Sequence, residues 1–271
     1  MLDVISYVKD EKAKLKAQVE QAIKIVGKRP HLAIVTDNQN FDANQSYIKS
    51  KMKFAEEVGI GCDVIHSDND GFFKINLQHY DGVIIQYPFL DFSFDEFRCL
   101  VSEMLPSELD VDGLGFNSKW YACTPLGIKT YIENLRETGV ITAKNVTVNI
   151  LGCGGLVGEP LAKMLMADKD YTVCITRSNT DEWVADNFQA SADVVVCATP
   201  THNLVRFPDL RKVWIDCGCN LIDGKLLGNV CRGAYTEEAL ITPVPGGVGQ
   251  LTVLSLYKNV FESYKRKFVK Q

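Results

Sequence analysis

The sequence predicts an α/β protein with two α/β domains, the second of which is a Rossmann-type nucleotide-binding domain. Two observations predict this class. Short apolar runs alternate with amphipathic helical stretches along most of the 271 residues, which is typical of parallel sheets. A glycine-rich loop, 152–158, lies between an apolar run and a helical stretch, and this order is typical of a dinucleotide site.

The first half of the chain predicts one series of elements. Apolar residues at helical spacing indicate helices, and unbroken apolar runs indicate buried strands. The expected order is helix 3–26, strand 31–37, helix 43–60, strand 62–67, strand 80–88 and helix 93–105. We assign residues 1–120 to the first domain, and we expect the C-terminal helix, about 250–271, to join it.

The second half predicts a second series, and we assign residues 121–249 to it. It begins with a helix at 123–135, for which Thr124 is the expected N-cap and Pro125 the first helical residue, as both residue types favour these positions. Four strands are then expected, at 145–151, 171–178, 192–200 and 212–218.

Composition narrows the classes of function. The net charge of −5 gives no general attraction to nucleic acid or anionic membranes, and no apolar run approaches the length that spans a bilayer. Nine dispersed cysteines indicate reduced thiols and a cytoplasmic protein. Cys217 and Cys219 form a C-x-C pattern, but no histidine lies close to them in sequence, so we expect no metal site.

The glycine loop has the residues that a dinucleotide turn requires. In such a turn the first glycine permits the bend, the second admits the pyrophosphate and the third lets helix and strand pack closely. Gly152, Gly154 and Gly158 have these positions in a G-x-G-x-x-x-G spacing. We assign cofactor binding to this loop, with the residues Gly152, Cys153, Gly154, Val157 and Gly158.

The end of the next predicted strand indicates which nucleotide is bound. An NAD enzyme commonly has an acidic residue about 20 residues after the loop, which binds the ribose hydroxyl. This chain has Arg177 and Ser178 there, and a guanidinium with a hydroxyl suits a 2′-phosphate. NADP is therefore favoured as the cofactor. Asp181 follows shortly after and keeps NAD open as the alternative.

Polar residues in the first half mark a second site. Tyr47 and Lys51 are four residues apart on a predicted helix, so their side chains share a face. Gln86, Asp110 and Asp112 fall at predicted strand ends, where ligands bind in open α/β sheets.

Taken together, seven segments resemble the methylenetetrahydrofolate dehydrogenase/methenyltetrahydrofolate cyclohydrolase family. They follow the family's order and are SYIKSKMKFAEEVGI, GVIIQYP, DVDGLGFN, CTPLGI, GLVGEPLAKML, WIDCGCN and, most specific of all, ITPVPGGVGQLTV. The resemblance implies oxidation of 5,10-methylenetetrahydrofolate with NADP, followed by hydrolysis of the methenyl product to 10-formyltetrahydrofolate. It also implies a ligand cleft between the two domains and a homodimer.

The resemblance implies a role for each residue of the second site. Lys51 matches the catalytic lysine and Gln86 its hydrogen-bonding partner. Tyr47 matches an aromatic that lies along the folate, and Asp112 a carboxylate that binds the pterin edge. Burial in an apolar cleft lowers the pKa of a lysine, so that it can transfer protons near neutral pH.

Two loops complete the implied sites. Pro245 and Gly246, in PVPGGVG, match a loop near the folate ring, and we assign them to substrate binding. Gly218 and Cys219 match the loop under the nicotinamide, and we assign them to cofactor binding.

Departures from the family pattern keep alternatives open. Asn44 stands at the family's serine position, and Cys153 stands where many members carry a polar or basic residue. Discrimination of NADP would then depend on Arg177 and Ser178. The main alternative is a monofunctional dehydrogenase that lacks cyclohydrolase activity, with either NAD or NADP as its cofactor. A non-catalytic nucleotide-binding module and a shikimate-type dehydrogenase are the remaining ones.

Overall fold

The computed structural model describes residues 2–68, 75–231, 233 and 239–268. The α/β class is confirmed, since helices and strands alternate and most strands are parallel. The chain divides into two compact units. We call them the lysine unit, Lys9–Cys123 with Val253–Gln271, and the glycine-loop unit, Met1–Val8 with Thr124–Thr252.

These bounds differ from those expected from the sequence. The units divide between Cys123 and Thr124 rather than after residue 120. The first eight residues belong to the glycine-loop unit, where the Leu2 N–H donates to the Ile241 carbonyl at 3.1 Å.

The lysine unit is built around a three-stranded parallel sheet. Its elements are most of α1 (Val4–Val26), β1 (His31–Thr36), α2 (Phe41–Val58), β2 (Gly61–His66), β3 (Gly82–Ile85), α3 (Phe94–Met104) and most of α7 (Val248–Phe268). The strand order is β2-β1-β3. Ile34 of β1 pairs with Val64 on one side and with Ile84 on the other. The central strand β1 is buried apart from His31, and β3 is buried throughout, because helices cover parallel sheets on both faces.

Local signals in this unit explain where its helices begin and end. Ser93 and Glu96 form a capping box at the start of α3, in which the Ser93 hydroxyl accepts from the Glu96 N–H. Gly59 ends α2 in the left-handed conformation, with φ of 79°, which glycine adopts without strain.

The glycine-loop unit contains a four-stranded parallel sheet. Its elements are α4 (Cys123–Glu137), β4 (Val146–Leu151), α5 (Gly158–Met166), β5 (Tyr171–Thr176), α6 (Glu182–Ser191), β6 (Val194–Cys197), β7 (Val213–Asp216) and the hairpin β8 (Asn220–Ile222) and β9 (Lys225–Leu227). The order of the sheet is β5-β4-β6-β7. The strand before the glycine loop, β4, therefore lies inside the sheet.

One local prediction in this unit is wrong. Thr124 is not the N-cap of α4, because the helix begins one residue earlier, at Cys123. The Thr124 hydroxyl instead lies 2.9 Å from that of Thr252. Pro125 still lies in the first helical turn, where its missing N–H costs nothing. None of the helices among the described residues is long and apolar enough to cross a membrane.

Candidate active site

Helix α2 presents Tyr47 and Lys51, which differ sharply in exposure. The side chain of Tyr47 is 46% exposed, whereas Lys51 is only 8% exposed. One helical turn separates them, so the exposed Tyr47 ring lies on the same face of α2 as the buried Lys51 side chain. Such a ring can lie along a planar ligand.

Lys51 and Gln86 are in direct contact, as the resemblance implies. The Lys51 Nζ donates to the Gln86 Oε1 at 2.6 Å, in a bond that is buried. Gln86 directly follows β3, and its backbone N–H donates to the Val35 carbonyl of β1 at 2.8 Å. The sheet therefore sets the position of the amide that holds the lysine.

Asp112 lies in a turn that a second buried carboxylate organises. Asp110 accepts from the Gly115 N–H at 2.8 Å and from the Gly113 N–H at 3.2 Å. Residue 110 also bridges to Val83 of β3, so this turn is joined to the same sheet as Gln86. Burial raises the pKa of the Asp112 carboxyl, and the nearby Lys51 ammonium opposes the rise.

Electrostatics couple Lys51 to its surroundings. Burial lowers the pKa of Lys51, and the Asp112 carboxylate partly offsets this effect. Two thiols, Cys62 and Cys123, also act on Lys51. Burial raises the pKa of both thiols, that of Cys62 to about 11, so both stay neutral at physiological pH. The site therefore holds a buried lysine whose charge interacts with the Asp112 carboxylate and with two neutral thiols.

Side chains that sequence analysis missed hold the loops at the strand ends. The buried Asp37 accepts from the Leu90 N–H at 3.1 Å and from the Asn40 N–H at 2.7 Å. Asn44, which stands at the family's serine position, is fully buried, and its amide donates to the Pro88 carbonyl at 2.8 Å. The segment that follows Gln86 is therefore tied to both β1 and α2. Buried Asp and Asn residues next to predicted strand ends were the available signal.

Glycines in the loop after β4 are required by close packing. A Cβ at Gly152, where φ is 91°, would lie 2.7 Å from the Ala198 carbonyl oxygen. A Cβ at Gly158 would lie 2.0 Å from the Gly152 carbonyl oxygen. Only glycine permits this approach of the first turn of α5 to the loop.

The rest of the loop leaves space and hydrogen-bond donors for a ligand. A Cβ at Gly154 would meet no atom within 4 Å, and Cys153 is half-buried beside it. Val157 has the N-cap position of α5 and makes no side-chain capping bond. The first N–H groups of α5 therefore lack a side-chain acceptor there, which fits a phosphate group.

The tip of β5 presents Arg177 and Ser178, both exposed. A turn fixes the backbone there, because the Arg177 N–H donates to the Thr180 hydroxyl at 2.8 Å. The Arg177 guanidinium makes no ion pair with any residue that the structure describes. The Asp181 carboxylate is the N-cap of α6 and accepts from the Val184 N–H at 3.3 Å. Asp181, the acidic residue that left NAD as the alternative cofactor, thus has a structural role.

Gly218 and Cys219 follow β7 in a loop that Asp216 holds. The buried Asp216 carboxylate accepts three backbone N–H bonds, from Gly218 at 2.8 Å, Asn229 at 2.8 Å and Val230 at 2.9 Å. A Cβ at Gly218 would lie 2.5 Å from the Asn229 nitrogen, so two loops meet at this glycine. Cys219 is exposed at its edge.

Pro245 and Gly246 lie in the turn before α7, in the glycine-loop unit. The Val244–Pro245 peptide is cis and Gly246 has φ of 101°. The structure thus brings together Lys51, Gln86 and Asp112 in one unit and places the predicted nucleotide residues in the other. No group of three or more His, Cys, Asp or Glu in the described parts of the chain could hold a metal ion.

The parallel sheet with its glycine turn is typical of a nucleotide-binding α/β enzyme, and the other unit holds a buried lysine–amide pair. Comparisons with known proteins agree. A family model described as "Tetrahydrofolate dehydrogenase/cyclohydrolase, NAD(P)-binding domain" matches residues 122–268. The chain belongs to the tetrahydrofolate dehydrogenase/cyclohydrolase family, which confirms the resemblance found in the sequence.

Individual relatives cover nearly the whole chain. "Bifunctional protein FolD" of Aquifex aeolicus is 31% identical, over 99% of this chain and 96% of the relative. The protein of that name from Macrococcus caseolyticus is 34% identical, over 98% of each. The crystal structure of the bifunctional FolD methylenetetrahydrofolate dehydrogenase/cyclohydrolase from Campylobacter jejuni is similar, with a TM-score of 0.79, 26% identity and 98% of each chain covered.

Proposed function

We propose that this enzyme oxidises 5,10-methylenetetrahydrofolate with NADP and then hydrolyses the methenyl product to 10-formyltetrahydrofolate. The buried Lys51–Gln86 hydrogen bond of 2.6 Å carries this proposal, because the hydrolytic step needs a proton-transferring group. The bifunctional names of the relatives also favour two activities over the monofunctional alternative.

In the hydrolytic step Lys51 is the proton carrier. Water adds to the carbon of the methenyl cation, so a C–O bond forms and a first water proton is lost. The C–N5 bond then breaks as N5 gains a proton, and the hydroxyl of the adduct loses the second proton to solvent as the formyl C=O bond forms. One proton is released overall. Burial lowers the pKa of Lys51, which favours its neutral form relative to that of an exposed lysine. The neutral amine takes the water proton, and the ammonium returns it to N5. Gln86 holds the Nζ atom through both transfers.

Tyr47 and Asp112 act on substrate binding in this proposal. The exposed Tyr47 ring lies along the folate. The Asp112 carboxylate accepts from the N–H groups of the pterin edge, since one carboxylate can accept from two donors. We assign Pro245 and Gly246 to substrate contact as well, because the resemblance implies this role and Pro245 is exposed.

The glycine-loop residues fit a bound dinucleotide. The open space at Gly154 and the uncapped start of α5 at Val157 suit the pyrophosphate, with Gly152, Cys153 and Gly158 shaping the turn. When bound, NADP supplies the nicotinamide that accepts hydride, and the loop at Gly218 and Cys219 supports that ring.

The choice of NADP over NAD depends on the two residues that follow β5. The guanidinium of Arg177, with Ser178 beside it, can bind a 2′-phosphate, whereas the nearest acid, Asp181, caps α6.

We further propose that the enzyme is a cytoplasmic homodimer that needs neither nucleic acid nor a membrane. Sedimentation at micromolar concentration tests the dimer, and a monomeric protein would contradict it.

One assay tests both activities and both cofactors. The protein is supplied with methylenetetrahydrofolate and either NADP or NAD, and the absorbance of the methenyl product is followed. The proposal expects formation and then enzyme-accelerated decay of the methenyl compound, faster with NADP. Formation without accelerated decay would support the monofunctional alternative, and no formation would reject the proposal.

A further inference from the structure

Helix α7 contacts the backbone of the catalytic lysine. The Tyr257 hydroxyl donates to the Lys51 carbonyl at 2.8 Å, and a carbonyl has a second lone pair for such a bond. The Tyr257 ring stacks on Phe54 of α2, with centroids 5.2 Å apart and an interplanar angle of 10°. Tyr257 is fully buried. It therefore holds α2 at Lys51 and one turn beyond it.

Two residues further along α7, Asn259 contacts the turn that carries Asp112. Its Nδ2 donates to the Val111 carbonyl at 2.9 Å and approaches the Cys123 Sγ at 3.6 Å. The Val111 oxygen belongs to the peptide that links Val111 to Asp112. On the other side of Asp112, its carbonyl accepts from the Cys123 N–H at 3.1 Å. Asn259 and Cys123 thus brace the backbone of Asp112 from both sides.

We propose that Tyr257 and Asn259 are positioning residues, which through α7 fix the placement of the Lys51 side chain relative to the Asp112 carboxylate. A helix rises about 1.5 Å per residue, so Tyr257 and Asn259 are offset by about 3 Å along the axis of one helix. Neither residue is assigned to touch substrate. All the contacts lie inside the lysine unit. This inference rests on the proposed function.

The test compares two tyrosine-to-phenylalanine variants of the full-length protein. Tyr257→Phe removes the hydroxyl bond to the Lys51 carbonyl and the longer hydroxyl contact with the Cys62 Sγ at 3.8 Å, and it keeps the ring stacked on Phe54. Tyr264→Phe is the matched control, since the Tyr264 hydroxyl is also on α7 and donates to the Lys28 carbonyl at 2.8 Å. Each variant loses one hydroxyl bond of 2.8 Å to a backbone carbonyl. A purely structural role predicts equal effects of the two on kcat.

We expect Tyr257→Phe to lower kcat for methenyl hydrolysis about tenfold, because small misplacements of catalytic groups are costly. KM should change less than about twofold, as the residue does not contact substrate. Tyr264→Phe should keep kcat and show a similar loss of Tm. Asn259→Leu, of similar shape, tests the second contact independently and should also lower kcat rather than raise KM.

If the wild-type protein is active and the two variants Tyr257→Phe and Tyr264→Phe have equal kcat, the positioning role of Tyr257 is overturned. The proposed function is not affected by that result. A wild-type kcat in Asn259→Leu would overturn it for the second contact, even if Tyr257→Phe did not fold. A wild-type protein that does not hydrolyse the methenyl compound would overturn the proposed function, and this inference with it.

Discussion

The amide of Gln86 is held in one orientation by the two groups that it contacts. Its Oε1 accepts from the Lys51 Nζ at 2.6 Å, and its Nε2 donates to the Tyr87 carbonyl at 2.7 Å. A backbone carbonyl can only accept, so the oxygen of the amide must face the lysine. The lysine therefore always meets an acceptor, which keeps its Nζ in place in both protonation states.

Replacing the lysine should separate hydrolysis from binding. Lys51→Met keeps the length of the side chain but removes the proton carrier, so we expect methenyl hydrolysis to fall at least about a hundredfold. Affinity for tetrahydrofolate, measured by calorimetry, should change little. Lys53→Met is the control, because Lys53 is exposed on the same helix. Methenyl hydrolysis at the wild-type rate in Lys51→Met would reject the assigned role.

Gln86→Glu should shift the pH dependence of hydrolysis. A carboxylate at this position favours the charged form of the lysine, so the pKa of Lys51 should rise toward its ordinary value. Neutral lysine then forms only at higher pH, and the rising limb of the pH–rate profile should move up. Gln86→Met removes the hydrogen bond without adding charge, so it should lower the rate without that upward shift. Parallel profiles in the two variants would count against the electrostatic account.

Arg177→Ala should change cofactor preference. Loss of a charge-assisted bond to the 2′-phosphate should weaken NADP binding about tenfold to a hundredfold, whereas NAD, which lacks that phosphate, should bind nearly as before. Dissociation constants for both nucleotides provide the measurement. Arg211→Ala is the control, since Arg211 pairs with Asp209 elsewhere in the same unit. Equal losses for the two nucleotides would reject the phosphate assignment.

Asp181→Ala tests the alternative, NAD-binding role of that residue. As the N-cap of α6, Asp181 should contribute about 1 kcal/mol to the free energy of unfolding. We expect this loss in a denaturant titration and an unchanged affinity for NAD. Asp186→Ala, within α6, should show neither effect. A large loss of NAD affinity in Asp181→Ala would restore NAD as the cofactor.

Two glycine variants should separate packing from ligand contact in the loop. Gly158→Ala places a methyl group 2.0 Å from the Gly152 oxygen, so stability should fall by about 1–3 kcal/mol. Gly154→Ala meets no protein atom within 4 Å and should keep its Tm while it binds NADP more weakly. A Gly154→Ala variant with wild-type affinity would place the pyrophosphate elsewhere.

Periodicity was sufficient to predict the strands of the two parallel sheets and most helices, because the central strands β1 and β4 are buried at all but one residue each and most helices have a buried face. It did not reveal α6, none of whose residues is buried, so no apolar stripe marks it. The hairpin β8–β9 was not predicted either, because its strands are only three residues long and Leu221 is exposed.

Site residues that are close together in sequence could be predicted, whereas contacts between distant residues could not. The glycine loop could be predicted because its strand, turn and helix are contiguous. The contact of Lys51 with Gln86 came only from resemblance, and the contacts of Tyr257 and Asn259 were missed. These last span 206 and 148 residues, and no local pattern specifies which distant backbone groups a buried side chain will meet.

That distance has a consequence for how the protein is made. The ribosome adds Tyr257 long after Lys51 has emerged, 206 residues earlier. The sheet β2-β1-β3 can form during synthesis, but the lysine unit lacks α7 until the chain has been extended past Val253. A nascent chain therefore carries Lys51 without the hydrogen bond from α7 to its backbone until translation has passed Tyr257.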